Sequence, residues 1–145
     1  MIYFVDEDVQ YARELCVPLQ MRGYETKIIE NADLAYEELE RAEDVQLAII
    51  DIMLATNGAE TSRFSAADTD DFLETGLLLM RYLSAARDNL FPNRFVVLTA
   101  AGAVLIQKIS LECNEMGVEV LKKGDFRDPS TLADSIEEIL KHGNI

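Results

Sequence analysis

The sequence predicts an α/β fold: a doubly wound, five-stranded parallel sheet with helices on both faces. Two observations predict it. Short apolar, β-prone runs alternate five times with stretches of helical period, and such alternation implies crossover connections and therefore parallel strands. Two of the runs, "LAII" and "FVVL", are apolar throughout, as a strand covered on both faces must be. The 145 residues, 49% of them hydrophobic, suit one domain over 1–145 with a full core.

The elements follow in order. "IYFV" is the first strand. Asp8 opens the first helix, with Val9, Ala12, Leu15, Cys16 and Leu19 on one side and Gly23 just past its end. Pro18 lies inside that pattern and is expected to bend or loosen the helix. "YETKII" alternates in part and reads as the second strand. Asn31 is placed to cap a short helix carrying Leu34, Ala35 and Leu39. "LAII" is the third strand. The stretch "ATNGAETSRFSAADTDD", residues 55–71, is a small, polar and acidic break. Asp71 with Glu74 resembles a capping box opening a third helix to about Arg87. "FVVL" is the fourth strand, "AVLIQKISLECNEM" a helix ending at Gly117, and "VEVL" the fifth strand. Asp128-Pro129 starts the last helix, whose stripe is Leu132, Ile136, Ile139 and Leu140.

Composition narrows the function. A formal net charge of −14 argues against nucleic-acid binding through phosphate contacts. No apolar segment is long enough to span a membrane, and the first residues read as a strand, unlike a signal peptide. Cys16 and Cys113 match no metal spacing and read as small core residues of a reduced, cytoplasmic protein. His142 reads as a solvated helix-end residue. "DTDD" lacks the glycine and ligand spacing of a calcium loop, and no glycine-rich phosphate loop follows the first strand.

In open parallel sheets the site lies beyond the carboxyl ends of the strands. Asp6 and Glu7 follow the first strand, Asp51 the third, Thr99 the fourth, and Lys122 and Lys123 the fifth. Three carboxylates on one rim repel one another unless a cation joins them. Mg²⁺ suits such a site, because it takes a few carboxylates and keeps several waters. A carboxylate nucleophile, a hydroxyl and a lysine beside Mg²⁺ suit phosphoryl transfer.

Asp6-Glu7, Asp51, Thr99 and Lys123, in this order at four strand ends, resemble the characteristic set of response-regulator receiver domains of two-component signalling. "GLLLMRYL" is similar to that family's third helix. The resemblance implies a flavodoxin-like strand order, 2-1-3-4-5. It implies that Asp51 accepts a phosphoryl group from a histidine kinase or histidine phosphotransfer protein. Asp6, Glu7, Asp51 and the backbone carbonyl of Met53 would hold Mg²⁺. Thr99 would hydrogen-bond one phosphoryl oxygen, and Lys123 would pair with another.

The chain departs from the family pattern in several places. Gly76, which resembles the family's loop glycine, lies far beyond Asp51, so residues 55–71 read as an insertion: a lid, a partner contact or a disordered loop. Val120 stands where the family often has a switching aromatic, and Gly124 where proline is usual. Met53 and Ala101 occupy the positions that influence attack by water in the family, and neither can activate one, so a slowly hydrolysed phosphoaspartate is expected. With no output domain in the sequence, signalling is expected through a surface. Val104 and Leu111 fall away from the buried face of the fourth helix and suggest a dimer or target contact. Leu73, Leu77 and Met80 form a second stripe on the third helix, covered either by the insertion or by a partner. The rival reading is a receiver-like interaction module that is not phosphorylated. An aspartyl phosphatase would want a second acid where Met53 stands.

Overall fold

The computed structural model describes residues 1–88, 90 and 93–143. Its elements alternate as expected: β1 (Ile2–Val5), α1 (Val9–Met21), β2 (Thr26–Ile29), α2 (Ala32–Arg41), β3 (Leu47–Ile50), α3 (Thr75–Ala86), β4 (Phe95–Thr99), α4 (Ala103–Met116), β5 (Glu119–Lys122), a 3₁₀ turn (Lys123–Asp125) and α5 (Pro129–Gly143). The strands are all parallel and lie in the order β2-β1-β3-β4-β5. This is the doubly wound, flavodoxin-like order.

Side chains of a strand alternate between the faces of the sheet, so an all-apolar strand feeds two cores. Tyr3, Val5, Ala48, Ile50, Phe95 and Val97 point into one, packed against α2, α3 and the buried side of α4. Ile2, Phe4, Leu47, Ile49, Val96 and Leu98 point into the other, against α1 and α5. Cys113 lies in the first and Cys16 in the second, both as free thiols.

Register sets the site. Val5 is opposite both Ile29 and Ile50. The next residues, Asp6 and Asp51, leave the sheet side by side; the Asp51 amide donates to the Val5 carbonyl at 3.0 Å. At the other edge Thr99 is opposite Lys122, which puts Lys123 one step beyond the sheet.

Local sequence signals mostly held. Asp8 caps α1 by accepting from the Tyr11 amide at 3.1 Å, and Asn31 caps α2 by accepting from the Leu34 amide at 2.9 Å. The first helix runs through Pro18 to Met21, because a missing N–H near a helix end forfeits only one internal bond. Leu34 is exposed, and the buried face of α2 is Ala32, Asp33, Ala35 and Leu39. The expected capping box is not formed. Asp71 adopts a left-handed φ of 57°, and the helix starts at Thr75, after Glu74, with no side-chain cap. Leu77 and Met80 are buried, whereas Leu73 lies before the helix and is half-exposed. Of the second stripe, Leu77 and Met80 are therefore core, in one cluster with Phe64 of the insertion, and Leu73 is not.

Candidate functional site

The carboxylates of Asp6 and Asp51 are nearly buried and share one ammonium. Lys123 Nζ donates to Asp6 Oδ2 at 2.8 Å and to Asp51 Oδ2 at 3.1 Å. Asp6 Oδ1 accepts from the Asp8 amide at 2.9 Å, so both oxygens of Asp6 are engaged. Asp51 Oδ1 is buried and has no hydrogen-bond partner of normal geometry, and besides Lys123 the Met53 backbone amide favours the charge of that carboxylate. A buried carboxylate oxygen without a partner is costly, and here it belongs to the residue expected to act as nucleophile.

Burial pushes the Asp51 carboxyl up to about 6. Lys123 opposes that rise and the neighbouring Asp6 charge adds to it. For Lys123, burial alone would lower the pKa, but its hydrogen bond to Asp6 and the charge of Asp51 outweigh it and leave the ammonium raised. At neutral pH the trio therefore carries two negative charges and one positive. Asp51 holds its proton more tightly in the fold than in the unfolded chain. Its contribution to stability is thus fully present below about pH 4 and is lost as pH rises through about 6. In metal-free buffer, urea denaturation should show the wild type losing roughly 2–3 kcal/mol relative to Asp51→Asn across that window. Parallel curves for the two proteins would refute this reading.

The other predicted residues are placed as follows. Thr99 is buried at the end of β4, where its Oγ1 accepts from the Ala101 amide at 3.2 Å. Glu7 is exposed, and Met53 is partly buried in the loop after β3. Neither Glu7 nor Thr99 forms a hydrogen bond or ion pair with the central trio. Among the described residues, no group of three or more acidic, histidine or cysteine side chains stands close enough to hold a metal as it is arranged. Asp6 and Asp51 nevertheless fit a hard divalent ion. They offer hard oxygen donors, one oxygen is unpartnered, and the trio is left with one uncompensated negative charge.

Sequence reasoning missed Tyr11. Its ring lies 4.8 Å from Lys123 Nζ, a cation–π contact, and its hydroxyl is buried with no partner. The available signal was its place three residues after Asp8, one helical turn into α1 and on the rim side of the sheet.

Asp33 was missed as well. Its buried carboxylate gathers the insertion: it accepts from the Asn57 amide at 2.9 Å, from Ser62 Oγ at 3.0 and 2.9 Å, and from the Arg63 amide at 3.2 Å. The Ala32 amide donates to the Ala55 carbonyl, and Tyr82 Oη donates to the Arg63 carbonyl. The Arg63 guanidinium lies over the Tyr36 ring, and Phe64 is buried against Tyr82. These contacts fasten residues 55–64 to α2 and α3.

No protein-family model and no curated sequence matches this chain. Solved structures do. A CheY-like response-regulator receiver domain protein from Methanospirillum hungatei JF-1 is 21% identical with a TM-score of 0.70, covering 99% of this chain and 94% of its own. The BeF3-activated N-terminal receiver domain of RstA from Klebsiella pneumoniae is 21% identical with a TM-score of 0.65, covering 96% of this chain and 97% of its own. A response regulator from Burkholderia pseudomallei, solved with a phosphorylated aspartic acid and a calcium ion, is 20% identical with a TM-score of 0.61. It covers 91% of this chain, and the match spans 63% of that protein. At these identities the likeness establishes the fold, which is that of response-regulator receiver domains.

Proposed function

We propose that this chain is a phosphorylation-dependent receiver. Asp51 accepts a phosphoryl group from the phosphohistidine of a histidine kinase or histidine phosphotransfer protein, and the modified chain signals through protein contacts. The observation that carries this reading is the buried Asp51 carboxylate, with one oxygen unpartnered and the other on Lys123.

The chemistry follows from those groups. An Asp51 oxygen attacks phosphorus and forms the O–P bond. The N–P bond breaks and its electron pair returns to the donor imidazole. A carboxyl with a pKa of about 6 is ionised at neutral pH and is a better base than an ordinary aspartate. Lys123 then pairs with the phosphoryl oxygens and remains close to Asp6. The Thr99 hydroxyl, whose oxygen already accepts from Ala101, is free to donate its proton to another phosphoryl oxygen. Asp6, Glu7, Asp51 and the Met53 carbonyl are the groups to hold Mg²⁺, which supplies charge neutralisation for the transferred phosphoryl. The chain modifies itself and turns over no free substrate. Met53 and Ala101 offer no group to orient a hydrolytic water, so the acyl phosphate is long-lived.

The test is intact-mass spectrometry after incubation with Mg²⁺ and acetyl phosphate. The wild type should gain one phosphoryl adduct that decays slowly once the donor is removed, and Asp51→Asn should gain none. An equal adduct on the variant would place the acceptor elsewhere. A wild type that takes no adduct and binds no Mg²⁺ would favour the unphosphorylated interaction module.

A further inference from the structure

Two exposed apolar features, one in the turn between the insertion and α3 and one on α4, meet at an ion pair. On α4, Val104 and Leu111 are 87% and 66% exposed. With Lys108 and Glu115 they follow helical spacing along one face. Just after the insertion, Phe72 and Leu73 are each 42% exposed. Glu74, next in sequence, pairs with Lys108 at 2.9 Å, which brings that turn to the middle of the α4 face.

The turn is strained. Asp70, Asp71 and Phe72 have φ of 49°, 57° and 66°, three consecutive non-glycine residues in the left-handed region. Each costs about 1–2 kcal/mol there. Surrounding bonds hold them: the Asp71 amide donates to the Ala66 carbonyl at 2.8 Å, and the Glu74 amide to the Thr69 carbonyl at 2.9 Å. The fully buried Thr69 accepts from the Phe72 amide at 3.0 Å. Strain of this kind persists only where the surroundings impose it, and its effect here is to present Phe72 and Leu73 outward beside α4.

We infer that the Asp70–Glu74 turn and the outer face of α4 form one docking surface for a basic segment of a partner protein that carries apolar side chains. Charge decides the occupant. Asp68, Asp70, Asp71 and Glu115 are exposed around the apolar residues, and the local ammonium, Lys108, is already engaged by Glu74. A second copy of this chain would bring like charge to like, whereas a basic segment is attracted. This assignment goes beyond the expected dimer or target contact at Val104 and Leu111 by joining the Asp70–Glu74 turn to it and by naming the charge of the occupant. It is also independent of Asp51, so it can fail without phosphoryl transfer failing.

The experiment titrates the ¹⁵N-labelled chain with two synthetic amphipathic helical peptides of equal length and apolar content. One has lysine at its polar positions and the other glutamate. The lysine peptide should shift the amides of residues 70–74 and 104–115, and the glutamate peptide should not. Phe72→Ser with Leu73→Ser, and separately Leu111→Ser, leave every charge in place and should weaken binding at least about ten-fold. All three side chains are exposed, so the variants should keep a folded spectrum. Equal response to both peptides, shifts centred elsewhere, or unchanged affinity in the variants would overturn the inference. So would a dimer in sedimentation that the same variants dissolve, since it would assign the surface to a second copy.

Discussion

Gly76→Ala should destabilise the fold by roughly 4 kcal/mol and slow phosphorylation of Asp51. A Cβ at this position would lie 2.3 Å from the Asp51 carbonyl oxygen and 2.8 Å from the Ile52 Cα. Both neighbours are backbone and cannot rotate away. The Gly76 amide also donates to the Ile52 carbonyl at 2.8 Å, so α3 begins by clasping the loop that leaves β3. Helix propensity acts in the opposite direction: within α3, alanine is better than glycine by about 1 kcal/mol. The predicted loss therefore tests the close approach and not the helix. Relieving the clash means moving the Asp51–Met53 backbone, which misplaces the nucleophile and the Met53 carbonyl together. Urea denaturation and the initial rate of adduct formation from acetyl phosphate measure the two effects. A variant as stable as the wild type would show that the loop and helix are not clasped as described.

Gly76 also shows what the sequence makes legible. It was recognisable only through the resemblance to receiver domains, and the structure supplies the physical reason: at this point the backbone of α3 meets that of Asp51 and Ile52. The three central strands were legible because burial on both faces leaves an apolar run, whereas the edge strands β2 and β5 are partly exposed and showed only partial alternation; all observed limits fall within a residue or two of those read from the sequence. Asp6, Asp51 and Lys123 were legible because parallel strands place their exits on one rim, whatever the helices do. Local motifs were less dependable. Asp71 and Glu74 have the spacing of a capping box, but the bonds their amides and that of Phe72 donate to Ala66 and Thr69 hold a left-handed turn there instead. The tertiary context outweighs a cap worth about 1 kcal/mol. Leu34 looked like core from its spacing, yet Asp33 takes the buried place beside it. The insertion read as lid, contact or disorder because nothing in its composition says that it is ordered. Its order comes from a residue in α2, distant in sequence, and from the rings of Tyr36 and Tyr82.

That dependence makes Asp33→Ala the second large effect. Asp33 supplies the acceptors for two backbone amides and one hydroxyl of the insertion. Bonds to a charged acceptor contribute about 1.5–3 kcal/mol each, and donors left buried without a partner add to the loss. Some of that loss is recovered when the freed segment reaches water, so the net cost should be roughly 3–4 kcal/mol. Asp33→Asn keeps one acceptor and the side-chain shape, and should cost about half as much. The first turn of α2 also favours a negative charge at this point. Hydrogen exchange distinguishes local from global damage. Amides of residues 57–64 should lose protection in Asp33→Ala, while those of β1, β3 and β4 keep theirs. The sheet does not rest on Asp33, so Asp51 should still accept a phosphoryl group in this variant. The turn that presents Phe72 and Leu73 is held separately, through Ala66, Thr69 and Lys108, so this variant should still bind a partner beside α4. If the insertion stayed protected without the Asp33 carboxylate, Phe64 against Tyr82 and Arg63 over Tyr36 would be the contacts that fasten it.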